Sequence, residues 1–137
     1  MINRQLYSQA VKKLEPDYGP FILFGLFLRE DSPDRWDLLV SSRWLERKKL
    51  SGLSEFTQAL TRIVGLDEFV RLSRVVTLNR DESGLEAILR AVGVKKGVAE
   101  LRDVNFSGVQ VTHGFVFRAN RAELAAESID ATDDGSG

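Results

Sequence analysis

Residues suited to acid–base or metal chemistry are scarce in this sequence, which has one histidine and no cysteine among 137 residues. Histidine suits general base catalysis because its reference pKa, about 6.5, lies near neutral pH. The single histidine, His113, lies in a run of alternating apolar residues, where a core histidine with one hydrogen-bonded ring nitrogen is the simpler interpretation. Transition metals prefer clusters of Cys and His ligands, so we expect no metal site and no cofactor.

Asp34 and Asp37 are the second candidates for catalysis. The run from Ser32 to Val40 resembles the strand that carries the two magnesium-binding aspartates of small nucleotidyltransferases. That resemblance implies a nucleotide-handling enzyme that binds Mg²⁺ through Asp34 and Asp37. The family has one residue between its aspartates, whereas these lie three positions apart, which on a strand directs them to opposite faces. The family also has a Gly-Ser pair after its preceding strand, whereas here Gly25 is followed by Leu26. The alternative is a solvated turn rich in carboxylates.

Basic residues are densest between positions 43 and 49. Trp44 lies among them, and cations beside an aromatic ring are typical of single-stranded nucleic-acid binding. Trp44 also shares the parity of Leu38 and Val40, which would direct its ring into the core and leave the cations on a solvated strand end. The net charge of −1 gives nucleic-acid binding no further support. The candidate binding residues of this stretch are Arg43, Arg47, Lys48 and Lys49.

Apolar patterning predicts the strands and helices that must position these groups. Phe21–Leu28 is apolar except at Gly25, which is typical of a central strand buried on both faces, with a close backbone approach or a bulge at the glycine. A period of two from Trp36 to Trp44 predicts a second strand, paired with the first as an antiparallel hairpin. The last strand alternates from Val109 to Arg118, after a turn or bulge near Ser107-Gly108. One face of that strand should carry Val109, Val111, His113, Phe115 and Phe117.

Helical spacing predicts three main helices, at 2–14, 54–64 and 84–92, with Pro16, Asp17 and Gly19 ending the first and Ser54 capping the second. A short strand at 75–78 lies between the last two. This order predicts an α+β fold, one domain over residues 1–128, with a mixed or mostly antiparallel sheet of about five strands. Residues 129–137 are acidic and nearly free of apolar side chains, so we expect a disordered tail.

Composition indicates the cellular compartment of the protein and whether it spans a membrane. No run reaches the ~20 apolar residues of a membrane-spanning helix. The absence of cysteine favours a reducing compartment, so we expect a soluble cytoplasmic protein that does not bind membranes.

The number of helices available to cover the two faces of the sheet suggests a function. Both faces of the Phe21–Leu28 strand need cover, and helices 54–64 and 84–92 are expected on one face, which leaves helix 2–14 for the other. Such a shortfall is often met by a second subunit, although helix 2–14 and the tail could suffice. We therefore expect a non-catalytic interaction or regulatory domain that forms a homodimer or docks on a protein partner.

Overall fold

The computed structural model describes residues 2–94 and 96–123, so the predicted tail at 129–137 lies outside the described residues. A five-stranded mixed sheet carries helices on both faces, which confirms the predicted α+β class. No helix in the described ranges is both long and apolar enough to span a membrane. The elements are α1 Arg4–Tyr18, β1 Phe21–Arg29, β2 Trp36–Ser42, α2 Arg43–Val64, α3 Leu66–Phe69, β3 Leu72–Thr77, α4 Ser83–Ala91, β4 Ala99–Phe106 and β5 Val109–Ala119.

The strand order across the sheet is β3-β2-β1-β5-β4. The continuous apolar run forms the central strand, as predicted, and its first seven residues are buried. The β1–β2, β1–β5 and β4–β5 pairs are antiparallel, and β3 pairs with β2 in parallel. The predicted turn at Ser107-Gly108 joins β4 to β5, with φ values of 52° and 87° at the two residues.

Helices α1 and α2 together cover one face of the sheet. Phe24 lies at the centre of this core, with ring centroids of Phe56 and Phe117 at 6.4 Å and 6.1 Å in edge-on contact. Helix α1 continues past Pro16 and Asp17 to Tyr18, so of the three residues predicted to end it only Gly19 does so. The helix ends at Gly19, whose N–H donates to the Glu15 carbonyl at 2.9 Å.

Among the described helices, only α4 covers the opposite face, where Leu85 and Ile88 pack on Leu23 and Phe27. The predicted distribution of helices is therefore wrong, because α2 packs beside α1 and not beside α4. A helix of nine residues is about 14 Å long, whereas five strands span about 19 Å between the outer two. The part of the sheet that is left without a covering helix is therefore on the α4 face.

The predicted strand from Trp36 to Trp44 stops early, at Ser42. The hydroxyl oxygen of Ser42 accepts a hydrogen bond from the N–H of Leu45 at 3.1 Å, so Ser42 caps a helix that begins at Arg43. Trp44 therefore lies on α2, and the predicted cap at Ser54 lies inside that helix. The chain kinks within α2 at Lys49, where φ is 55° and ψ is −133°.

The face assignment predicted for β5 is also wrong. The register of β5 against β1 shifts between Leu28 and Arg29. As a result, Val111 packs in the core under α4, whereas Phe115 and Phe117 pack in the core under α1 and α2. An irregularity of this kind changes which residues share a face, and strict alternation along the sequence cannot reveal it.

Candidate functional site: an apolar groove beside α4

An apolar groove of about 190 Å³ opens on the incompletely covered face of the sheet. We call it the α4 groove. Its wall is contributed by all of the strands and by one side of α4, and its apolar residues include Phe27, Leu39, Val76, Ile88 and Val111.

Glycines on the sheet and on the helix make room for the groove. The ring of Phe27 lies so close over the sheet that a Cβ at Gly25 would come within 2.8 Å of it, and a Cβ at Gly114 within 3.2 Å. The sequence predicted a close backbone approach or a bulge at Gly25; the group nearest to the glycine is a side chain, and the register shift of β1 against β5 between Phe24 and Gly25 fits the bulge. On the helix side, a Cβ at Gly84 would meet nothing within 4 Å. The Phe27 ring therefore lies close to the sheet, and the absence of a side chain at Gly84 leaves space on the helix side of the groove.

One end of the α4 groove is charged. Arg29 and Arg74 line it together with Asp37, whose residue surface is only 2 % exposed. The Arg29 Nε donates to Asp37 Oδ2 at 2.7 Å, and the Arg74 Nε lies 3.3 Å from the same oxygen. The hydrogen bond from Arg29 to Asp37 raises the pKa of the Arg29 guanidinium. Arg29 also donates through Nη1 to Asp31 at 2.8 Å.

The second carboxylate oxygen of Asp37 has no such partner. Both arginines contact Oδ2, and Oδ1 is buried without a hydrogen-bond partner among the described residues. Leaving a buried acceptor unpaired costs about 1–3 kcal/mol.

The two aspartates paired by the sequence analysis do not converge. Asp34 is exposed in the turn before β2, in a depression that it shares with Arg35 and Trp36. Asp37 lies on the strand itself and forms ion pairs with Arg29 and Arg74. Within residues 2–94 and 96–123, no group of three or more His, Asp or Glu residues is arranged to hold a metal ion.

His113 lies apart from the α4 groove and is half-buried. Its Nε2 is 2.6 Å from Glu100 Oε2, and this hydrogen bond lowers the pKa of Glu100. The imidazole ring contacts Trp36 and Phe115, with centroid distances of 5.4 Å and 4.6 Å. These contacts hold the histidine in an aromatic cluster at the surface.

The basic stretch lies along the first turns of α2 and the kink that follows. Arg47, Lys48 and Lys49 are exposed, whereas Arg43 is half-buried. Trp44 packs edge-on against Tyr18, with ring centroids 4.8 Å apart. The ring is therefore held against the protein and is not a free platform for stacking bases.

Sequence reasoning missed Arg29 and Arg74 as site residues. The sequence contains a signal for them. Asp37 shares one face of β2 with Leu39 and Ser41, and a carboxylate on a buried strand needs a cation nearby. Comparison with protein-family models, with curated proteins and with solved structures finds no match to this chain.

Proposed function

We propose that this chain is a non-catalytic binding domain and that the α4 groove holds its ligand. The supporting observation is an apolar groove of about 190 Å³ that ends at the buried carboxylate of Asp37. An apolar cavity of ~150 Å³ is large enough to bind benzene, so this groove has room for one ring or a short aliphatic chain. Its charged groups are a carboxylate engaged by two guanidiniums, and arginine does not act as a proton donor or acceptor at neutral pH. The groove is thus suited to binding more than to proton transfer.

Benzene titration tests this proposal, because benzene neither donates nor accepts a conventional hydrogen bond. We expect saturable shifts of the methyl NMR signals of Leu39, Ile88 and Val111, which line the groove. A Gly84→Leu variant should bind benzene at least tenfold more weakly, since the leucine side chain would enter open space at the groove wall.

Gly93→Leu is the matched control, because a Cβ at Gly93 also meets nothing within 4 Å but Gly93 is not part of the groove lining. This variant should bind benzene like the wild type. Shifts that rise linearly with benzene, or that spread evenly over methyl groups elsewhere in the protein, would refute the proposal.

A second candidate function is self-association, and the edge of the sheet at β3 favours it. Among the described strands, β3 pairs only with β2, so its outer edge is unpaired. Leu50, Leu66 and Val70, on the neighbouring α2 and α3 region, are 82 %, 66 % and 56 % exposed. Exposed apolar residues beside an unpaired strand edge are features of a surface that pairs with another chain.

A further inference from the structure

The two edge strands of the sheet differ in the features that prevent pairing with another chain. Strand β4 carries Glu100, Arg102 and Asp103, and its backbone has a φ of 52° at Asp103. Charged side chains and irregular backbone protect edge strands in natural proteins. Strand β3 contains no lysine and no proline, and its one charged residue is Arg74. Of the two edges, that of β3 is therefore the one suited to accept a further strand.

Arg74 does not protect the β3 edge, because its side chain reaches back over β2. Its Nε lies 3.3 Å from Oδ2 of Asp37, which belongs to β2. The residues that follow Arg74 in β3 are all β-branched, a type that favours strands. From Arg74 to Thr77, β3 also keeps an unbroken register against β2. This part of the strand is regular enough to pair on its other side.

The backbone groups at this edge can be assigned from one hydrogen bond. The N–H of Leu78 donates to the carbonyl of Val40 on β2 at 2.9 Å. Along a strand, the N–H and C=O groups of alternate residues point to the same side. Val76 therefore directs its backbone groups toward β2, as Leu78 does, whereas Val75 and Thr77 direct theirs away from β2. A strand added at this edge would bond to Val75 and Thr77.

The apolar surface beside the edge fits a second copy of the chain. Val75 packs against the core under α1 and α2, and with Leu50 and Leu53 it lines a depression of about 440 Å³. A twofold axis perpendicular to the sheet keeps the α2 helices of both copies on the same face, so the leucines of both copies flank the new strand pair. Because the net charge of each chain is only −1, two copies repel each other weakly.

The charge of Arg74 selects the register of such a pair. Antiparallel pairing about a twofold axis places one residue opposite its own copy, and a centre at Arg74 would set two like charges opposite each other, which is destabilising. A centre at Val76 shortens the overlap of the two strands. A centre at Val75 sets Arg74 opposite the partner's Val76. It also lets Val75 exchange two hydrogen bonds with the partner's Val75.

We propose that a second copy of this chain pairs antiparallel with the β3 edge, centred at Val75, and joins two five-stranded sheets into one. This inference rests on self-association, the second candidate function, and specifies the strand pairing by which it occurs.

Amide hydrogen exchange of the wild-type protein tests the pairing directly. Light scattering first establishes the concentrations at which monomer and dimer predominate. Because a bonded amide exchanges only when its bond opens, the amides of Val75 and Thr77 should exchange about tenfold or more slowly in the dimer than in the monomer. The amides of Val76 and Leu78 face β2 in both states, so their exchange should depend much less on concentration.

Disulfide cross-linking tests the register, and the absence of cysteine from the chain makes single-cysteine variants unambiguous. Val75→Cys should cross-link two copies on oxidation, because residues in a hydrogen-bonded antiparallel pair have Cα atoms about 5.5 Å apart, within the range of a disulfide. Val76→Cys is the matched control on the same strand. In this register Val76 and the partner's Val76 are offset by two residues, with Cα atoms about 8 Å apart, which is too far for a disulfide.

Each result supports or overturns a defined part of the proposal. A dimer whose Val75 and Thr77 amides gain no protection would overturn the β3 pairing and leave self-association through another surface. Faster cross-linking of Val76→Cys than of Val75→Cys would overturn the register. A wild-type protein that is monomeric at all concentrations would refute the pairing and self-association together. If Val75→Cys fails to fold, hydrogen exchange of the wild type decides alone.

Discussion

At the residue scale, the two neighbouring aspartates should differ sharply in what they contribute to stability. Asp37 is buried and paired with Arg29, whose side chain is only 22 % exposed. An Asp37→Ala variant therefore leaves the largely buried Arg29 guanidinium without this carboxylate partner. Breaking a buried pair by removing one partner costs about 3–5 kcal/mol, and the partial exposure of Arg29 and Arg74 brings our expectation to about 2–3 kcal/mol. Urea unfolding measures the change in free energy of unfolding.

Asp34→Ala is the matched control, because Asp34 is the same residue type three positions earlier and is exposed. A surface substitution of this kind changes the free energy of unfolding by no more than about 0.5 kcal/mol. Equal losses in the two variants would mean that the ion pair at the end of the α4 groove does not stabilise the fold.

At the scale of elements, the kink in α2 should be a site of stored strain. Lys49 has φ at 55° and ψ at −133°, a combination that glycine adopts far more easily than a residue with a Cβ. Lys49→Gly should therefore raise the free energy of unfolding by about 1 kcal/mol. Lys49→Ala should have little effect, because it removes the same charge but keeps the Cβ. A loss of stability in the glycine variant, measured by urea unfolding, would contradict the expected strain.

The same region explains where prediction from sequence reached its limit. Trp44 keeps the parity of Leu38 and Val40, so the alternating pattern ran on past the strand end. The change from strand to helix depends on the hydroxyl of Ser42 capping the N–H of Leu45, a local competition that periodicity does not report. The central strand, in contrast, was predictable because a run apolar on both faces fits only the middle of a covered sheet.

The candidate site was predictable only in part, for a related reason. Asp37 could be assigned to the same face as Leu39 from the period of two. Its cations could not be assigned, because Arg74 reaches Asp37 only through the parallel pairing of β3 with β2, which brings Asp37 opposite Arg74. Strand order and the side on which each helix packs depend on contacts between distant segments, and these two features together create the α4 groove.

At the scale of the whole molecule, the exposed edge at β3 leads to a prediction about oligomeric state. Stable interfaces bury about 1,200–2,000 Å² in total, and exposed leucines beside an unpaired strand offer an apolar centre for such a contact. Light scattering over a concentration series should show a concentration-dependent dimer. Leu50→Asp should shift the protein to monomer, because Leu50 is the most exposed large apolar residue of those described and a buried carboxylate without a partner opposes association.

Val98→Asp provides the control for charge and hydrophobicity. Val98 is 44 % exposed and precedes β4, at the opposite edge of the sheet, so this variant should dimerise like the wild type. If both aspartate variants dissociate equally, general repulsion and not the β3 edge controls association. A wild-type protein that stays monomeric at every concentration would eliminate self-association and leave the α4 groove as the sole proposed binding surface, since Leu50, Leu66 and Val70 do not line that groove.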